Sequence, residues 1–384
     1  MFTLDLSANV PLYGQQMCYW CGAASGQMAR NGYPNPADRL FYPQIDVWNT
    51  IQVYNSTAPA DVSTGWATDP NGLTGCLMNL WNPPGVDWVE FSDPTRDAVL
   101  FFMLHWMSVR NYPSPVLINQ GGHWVVVVGY ETDVEPVDGS TPTLQQITVH
   151  DPEPHNIGTV SVLSASQWYS GPWNGAVIYT GTWLNNYVAV VEPPKVKGTV
   201  RVHQVERVGP RLLSSSQAQE RARRLIGELN LADKPQYRLL AREGVQALEP
   251  MLVRDEPRTD RKQDIPPHYY IVPFGVRGEK ERNEQLTRIS ILINAHTGDF
   301  EEITAFGRPI RYLSREAALS MAATAIRVDP ERLQSATATL MFRPSKISHI
   351  RAFPFWEIVV NDKTIYVDQI GEIYGKLELS IPGD

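Results

Sequence analysis

The chain has 384 residues, too many for one compact core, and this length predicts two or three domains. It contains no uninterrupted apolar stretch of about 18 residues, so we expect no transmembrane helix, and its three cysteines are too few for a disulfide framework. The first 190 residues hold four basic and fifteen acidic residues, which argues against a nucleic-acid-binding surface there.

The first residues, MFTLDLSANVP, lack the basic region and the apolar stretch of a secretory signal. We therefore expect a cytoplasmic location by default. Secretion stays open, because a processed start would look the same.

Two helices and several strands are predicted in the first half. Apolar and small residues on one side predict a helix from about Trp20 to Arg30. The apolar spacing between Pro94 and Arg110, after Asp93 as a cap, predicts a second helix. Strands are predicted at SPVLINQ (114–120), HWVVVVGYE (123–131), QQITVHD (145–151), GAVIYTG (175–181) and YVAVVE (187–192). The unbroken valine run at 125–128 indicates a strand buried on both faces.

The segment QQMCYWCGAAS contains Cys18 and Cys21, and four interpretations compete for it. The spacing suits half of a zinc site, but the sequence lacks a second pair of Cys or His at matching spacing. A thioredoxin-like redox pair would need a preceding strand, whereas LYGQQM is polar and contains glycine. Cys21 is otherwise a small buried residue at a helix start, or a nucleophile.

The nucleophile interpretation explains more of this segment than the others. A cysteine at a helix N-terminus is exposed to the positive end of the helix dipole, which favours the thiolate. The small residues 22–25 let the helix start lie deep against a neighbouring wall. Gln15, six residues before Cys21, can donate a side-chain amide N–H to a developing oxyanion, beside the main-chain N–H of Cys21.

A thiolate nucleophile needs a base and a group that orients the base. His123 follows two glycines at the start of the most apolar predicted strand, so we expect its ring at the open end of that strand. Asp151 ends the next strand and is followed by Pro152. We predict that two neighbouring strands present the imidazole and the carboxylate side by side. His150 and His155 flank Asp151 and remain alternative partners.

The second half of the chain contains a pattern that occurs twice. Residues 192–211 carry prolines and charges without helical periodicity, which predicts a linker. Each following copy predicts an amphipathic helix opened by serines, two strands, a turn at a glycine, and a last strand. Asn294 and Gly298 of the first copy correspond to Asp368 and Gly371 of the second. Such a repeat buries one face of a small sheet under a helix and by itself suggests binding.

Taken in chain order, QQMCYWCGAAS, GGHWVVVVGY and VHDP resemble the papain-like cysteine peptidases, and more narrowly a bacterial group similar to the staphopains. The resemblance covers roughly residues 8–190. It implies that Cys21 is the nucleophile, His123 the base and Asp151 the residue that orients the base. It also implies that Gln15 is the oxyanion glutamine.

Two features depart from the pattern of these peptidases. Gly22 stands where a tryptophan often follows the nucleophile. Cys18 is an additional thiol that could trap Cys21 as a disulfide.

The endings LINAHTGDFEEI and YVDQIGEIYGKL resemble PepSY modules. The implied fold class is α+β: a papain-like peptidase domain at 1–191 with an N-terminal helical part and an antiparallel β part, the linker at 192–211, and PepSY-like modules at 212–307 and 308–384. In such families the modules bind or restrain peptidases, so the resemblance implies that they contact the peptidase domain or a substrate peptide.

The expected function is therefore a cysteine endopeptidase that acts on a peptide or protein substrate. We expect no cofactor or metal, and no nucleic-acid or membrane partner. Two alternatives stay open: acyl transfer, transglutamination or deamidation by the same residues, and a catalytically inactive protein that holds a peptide on sheet edges.

Overall fold

The protein is a mixed α+β structure, as its computed structural model shows. The structure describes residues 1–32, 41–56, 66–80, 88–179, 181–191, 198–203, 209, 211–256, 267–281, 284–326, 336–360 and 363–378. Two compact units divide the chain, one containing Met1–Gln204 and the other Val205–Glu378. Most of the predicted linker lies outside the described residues.

The first unit combines five helices and seven strands among its described residues. The helices are α1 (Cys21–Asn31), α2 (Gln44–Tyr54), α3 (Pro70–Leu80), α4 (Arg96–Arg110) and α5 (Ala165–Ser170). The strands are β1 (Phe2–Asp5), β2 (Val89–Asp93), β3 (Ser114–Ile118), β4 (His123–Thr132), β5 (Leu144–Asp151), β6 (Thr159–Ser164) and β7 (Tyr187–Val191).

The strands of the first unit form an antiparallel sheet in the order β6-β5-β4-β3-β7-β2. The long strand β4 lies near its centre, where β3 pairs with its first half and β1 with its second half. All four valines at 125–128 are buried. The predicted strand with two buried faces is therefore confirmed.

Helices cover both faces of this sheet, and alternate residues of β7 show it. Val188 and Val190 pack into a core with residues of α1, α2 and α3. Ala189 and Val191 point the other way, into a core with α4 and α5. This period-2 alternation follows from the strand geometry. Helices α1, α2 and α3 thus lie on one face of the sheet, and α4 and α5 lie on the other.

Two details predicted for this unit are wrong. In GAVIYTG, the described residues 175–179 form no strand. The Val177 N–H donates to the Asn186 carbonyl at 2.9 Å and the Asn185 N–H donates to the Val177 carbonyl at 2.8 Å. Asp93 does not cap α4, which has Thr95 at its N-cap position. The Asp93 carboxylate instead accepts the Thr95 N–H at 2.7 Å, just before the helix.

The second unit contains helices α6 (Ser215–Glu228) and α7 (Arg315–Ile326). Its strands are β8 (Val245–Ala247), β9 (Met251–Asp255), β10 (His268–Val276), β11 (Lys280–Glu281), β12 (Glu284–Gln285), β13 (Thr287–Asn294), β14 (Phe300–Ile310), β15 (Thr337–Phe342), β16 (Phe355–Val360), β17 (Lys363–Val367) and β18 (Ile373–Tyr374). The main sheet has the order β18-β17-β16-β15-β9-β10-β13-β14, with β8 beside β10, while β11 and β12 form a separate hairpin.

The internal repeat is present in this unit. The serine at the start of each helix caps it: Ser214 accepts the Gln217 N–H, and Ser314 accepts the Ala317 N–H at 3.2 Å. The turns correspond as well. Asn294 Oδ1 accepts the main-chain N–H groups of residues 296 and 297, and Asp368 Oδ1 accepts those of residues 370 and 372.

A glycine with positive φ completes each of these turns, Gly298 at 76° and Gly371 at 93°. L-residues with a Cβ avoid this conformation, which explains the glycine in both copies. The two halves of the sheet join through a parallel pairing of β9 with β15.

Among the described residues, no helix has both the length and the apolar character that crossing a membrane requires.

Candidate active site

Helix α1 begins at Cys21, and its first turn is closed by the Ala24 N–H, which donates to the Trp20 carbonyl at 2.9 Å. Every residue of α1 is buried. A Cβ atom added at Gly22 would lie only 2.4 Å from the Thr68 side chain. The small residues after Cys21 therefore do let the helix start lie deep, as predicted. The same contact explains why no tryptophan occupies position 22.

The Cys21 sulfur lies against the start of β4. Its Sγ accepts the main-chain N–H of Trp124 at 3.3 Å. Two further bonds fix Trp124: its carbonyl accepts the Ser25 hydroxyl at 3.1 Å, and its indole N–H donates to the Thr68 carbonyl at 3.0 Å. Cys21 and Trp124, 103 positions apart in sequence, are thus in direct contact, and Trp124 is the residue that follows His123.

His123 and Asp151 are in direct contact. The ring Nε2 of His123 lies 2.9 Å from Asp151 Oδ1. The sheet explains this contact: Val126 lies opposite His150, so Asp151 lies on the same face as His123, about two residues along β4. His123 is the first residue of β4 and Asp151 the last of β5. The two neighbouring strands present the imidazole and the carboxylate side by side.

The charges around His123 favour its protonated form. Complete burial by itself lowers the pKa of this ring, because it removes water from the charged form. The negative charges of Asp151, Cys21 and Glu153, with the hydrogen bond to Asp151, outweigh burial and raise the His123 pKa well above 6.5. An imidazolium beside a thiolate is the charge state that a cysteine nucleophile requires.

Gln15 is buried and tied to the loop that follows Asp151. Its main-chain N–H donates to the Pro152 carbonyl and its carbonyl accepts the Asn156 N–H, both at 2.9 Å. The side-chain Nε2 donates to the Cys18 carbonyl at 3.1 Å. A primary amide carries two N–H donors, so this bond leaves one donor for an oxyanion.

His150 and His155, which flank Asp151 in sequence, do not contact its carboxylate in the way that His123 does. His150 points to the opposite face of β5, where burial lowers its pKa to about 4 against weaker opposing effects of Asp5 and the Pro11 carbonyl. His155 is exposed, and its ring contacts the Gln16 carbonyl and the Asn156 amide. Of the three histidines considered from the sequence, His123 is the one whose ring contacts Asp151.

Two further residues, not predicted from the sequence, shape this site. Trp124 supplies the N–H that holds the Cys21 sulfur. Glu153 is buried, and its main-chain N–H donates to Asp151 Oδ1 at 2.8 Å. Its place in HDPEP, two residues after Asp151, was the one available signal for it.

The cysteines form no disulfide: Cys18 is exposed, whereas Cys21 and Cys76 are buried. Within the described parts of the chain, neither Cys18 nor Cys21 belongs to a cluster of three or more side chains spaced to bind a metal ion. Of these thiols, the buried Cys21 is the one that contacts the start of β4 through the Trp124 N–H.

No protein-family model matches this chain, and no curated protein matches it. Among solved structures, the chain is similar to the Bacillus megaterium YpeB C-terminal domain, with 10% sequence identity and a TM-score of 0.18 over 69% of this chain and 90% of that domain. A similarity this weak carries no argument about fold or function.

Proposed function

We propose that this protein is a cysteine endopeptidase whose first unit is papain-like and whose second unit is a tandem of PepSY-like modules. Cys21 serves as the nucleophile, His123 as the acid and base, Asp151 as the residue that orients His123, and Gln15 as an oxyanion donor.

One observation carries the proposal. The His123–Asp151 pair, joined at 2.9 Å, is followed directly by Trp124, whose main-chain N–H donates to the Cys21 sulfur at the N-terminus of a buried helix. The negative charge of Cys21 itself contributes to raising the His123 pKa, so the two groups are electrostatically coupled. A structural cysteine in an apolar core does not need such a partner. Cys76 illustrates that case, because burial alone raises its pKa to about 12.

The mechanism follows from these positions. The Cys21 thiolate attacks the carbonyl carbon of the scissile peptide bond, and the carbonyl oxygen becomes an oxyanion. The Cys21 main-chain N–H and the second Gln15 amide N–H donate to this oxyanion. The His123 imidazolium then protonates the leaving amine as the C–N bond breaks. A water molecule, deprotonated by His123, attacks the thioester and releases the acid product and the thiolate.

The second unit acts in this proposal as a module that recruits substrate or restrains the peptidase. Two features support this role: its two copies share one sheet, and both keep the Asx-type turn with a positive-φ glycine. All three cysteines of the chain lie in the first unit, so the second unit has no thiol nucleophile. Cleavage at a protease site engineered into 192–211 should therefore change the KM or kcat of peptide hydrolysis, and unchanged kinetics would remove this role.

A second candidate function is a peptide-binding protein without catalysis. The burial of the site favours it, since Cys21 and His123 are both 0% exposed. A peptide carbonyl reaches the sulfur only after covering residues have moved. If this movement does not occur, the Cys21 sulfur does not reach a peptide bond and the protein catalyses no hydrolysis.

Labelling and hydrolysis by the full-length chain distinguish these functions. An epoxide inhibitor of papain-type peptidases, added to a Cys18→Ser background, should modify Cys21 and leave Cys76 unmodified. Cys18 is replaced because its exposed thiol would otherwise consume reagent. In parallel, a peptide library read by mass spectrometry should show cleavage that is absent in Cys21→Ala. Gln15→Ala should retain cleavage slowed by about 10²–10³-fold, the usual cost of losing one oxyanion donor.

Three outcomes would contradict the endopeptidase. Full cleavage by Cys21→Ala would exclude Cys21 as the nucleophile. An inert Cys21 together with an uncleaved library would favour the binding protein. Isopeptide products in the presence of an added primary amine would show that the acyl-enzyme reacts by acyl transfer.

A further inference from the structure

The loop that follows β5 brings a second carboxylate to the candidate active site. Glu153 lies two residues beyond Asp151 and is 3% exposed. One of its carboxylate oxygens lies within 4.8 Å of a His123 ring nitrogen. Acidic side chains are almost never fully buried without a partner, and the His123 ring lies close enough to interact with this carboxylate.

We propose that Glu153 is a positioning residue for the catalytic pair: its main chain fixes the Asp151 carboxylate, and its side chain supplies a second negative charge that holds His123 as the imidazolium. This inference rests on the proposed function of Cys21, His123 and Asp151.

The main-chain part of this role is a shared acceptor. Asp151 Oδ1 accepts both the His123 ring N–H at 2.9 Å and the Glu153 main-chain N–H at 2.8 Å. The second bond stops the carboxylate from rotating away from the ring. The Glu153 carbonyl in turn accepts the Thr159 hydroxyl at 3.1 Å, which anchors the loop to the first residue of β6.

The side-chain part is electrostatic. Within the first unit, the ionisable groups that act on the His123 ring are Asp151 from β5, Cys21 from α1, and Glu153 from this loop. All three favour the protonated ring, against the effect of burial. Once Cys21 is acylated its charge is gone, and the two carboxylates remain. Glu153 thus supports the imidazolium at the stage where the ring receives a proton from water.

The test is the full-length Glu153→Gln variant, which keeps the main-chain bond to Asp151 and removes the charge. NMR titration of the histidine rings reads His123 directly and does not depend on activity. We expect the midpoint for His123 to fall by about one pH unit, the size of shift that a charge at 4–6 Å produces. The alkaline limb of Cys21 alkylation should move in the same direction, since it reports loss of the imidazolium. Glu135→Gln is the matched control, because Glu135 is exposed.

The outcomes separate the two proposals. An unchanged His123 midpoint in Glu153→Gln would overturn the role of Glu153 while leaving the endopeptidase intact. A shifted midpoint in a protein whose Cys21 neither alkylates nor cleaves peptide would uphold the electrostatics and refute the endopeptidase. If Glu153→Gln does not fold, Glu153→Ala removes the same charge, and the same shift is expected. An equal shift in Glu135→Gln would also overturn the proposal.

Discussion

His150 gives the fold a calculable sensitivity to acid. It is 1% exposed in the middle of the first unit, and burial lowers its pKa to about 4. In the unfolded chain the same ring titrates near 6.5, so between these values the unfolded state binds more protons than the folded state. The contribution of His150 to the free energy of unfolding is therefore fully present above pH 6.5 and is lost as the pH falls toward 4. At about 1.4 kcal/mol per pKa unit, about 2 kcal/mol of this loss falls between pH 7.5 and 5.0.

The assay is urea denaturation of the wild type and of His150→Phe at both pH values. His123 contributes with the opposite sign, because its raised pKa stabilises the folded state below 6.5 and that stability is lost as the pH rises through its folded value. The contribution of His123 is common to both proteins and cancels when their pH dependences are subtracted. The remaining difference, about 2 kcal/mol, belongs to His150.

The result bears on the site as well as on stability. If the protein is the proposed endopeptidase, His150→Phe should keep its kcat/KM for peptide hydrolysis at pH 7.5, because His150 faces away from Asp151. An equal pH dependence in both proteins would show that His150 is already solvated or paired when folded. A loss of hydrolysis without a loss of folding would show that the wrong histidine had been assigned to the site.

Two glycine substitutions test the packing that places the site and the turn that defines the repeat. Gly22→Ala puts a Cβ 2.4 Å from the Thr68 side chain and should lower the free energy of unfolding by about 1–3 kcal/mol, whereas Gly26→Ala, whose nearest contact is 3.0 Å, should cost less. Gly298→Ala forces alanine to a φ of 76° and should cost about 1 kcal/mol. In contrast, Gly227→Ala in helix α6 meets no atom within 4 Å and should stabilise the protein. Urea denaturation measures all four, and a stabilising Gly22→Ala or Gly298→Ala would refute the respective argument.

Strong local patterns predicted part of this fold from the sequence. The run of valines in β4, the small residues of α1 and the serine starts of α6 and α7 each satisfy a local rule, and each element lies where its pattern indicated. The repeat was visible because its turn needs an Asx side chain and a positive-φ glycine, two requirements that leave a direct mark on the sequence.

The remaining elements depend on contacts that local patterns do not contain. Helices α2 and α3 are held by a buried core they share with α1 and by polar contacts such as Gln16 N–H to Gln44 Oε1 at 2.7 Å. GAVIYTG has the composition of a strand, but its described residues 175–179 form none, and Val177 makes main-chain bonds to residues 185 and 186 instead. Tertiary bonds of this kind override β-propensity, which is a weak and context-dependent preference.

In the candidate site too, some residues were predictable from local sequence patterns and others depend on tertiary contacts. The residue types and their order along the chain suggested Cys21, His123 and Asp151, because each lies at the end of a predicted element. Glu153 could not be chosen over other acidic residues, since its burial beside His123 follows from how the loop after β5 turns back toward the sheet.

That loop links Gln15, the proposed oxyanion donor, to the group that contacts His123, the proposed base. Residues 151–156 supply the carboxylate that contacts His123 and the main-chain groups that pair with Gln15 on both sides, through the Pro152 carbonyl and the Asn156 N–H. A displacement of the loop therefore moves Gln15 together with the carboxylate that contacts His123. Gln15 and His123 lie more than 100 residues apart in sequence, yet both are bonded to residues 151–156. Gln15→Ala and a substitution in the loop should each lower the kcat/KM for peptide hydrolysis. The fold-decrease in the double variant should be smaller than the product of the two single fold-decreases, as expected for residues that act as a unit.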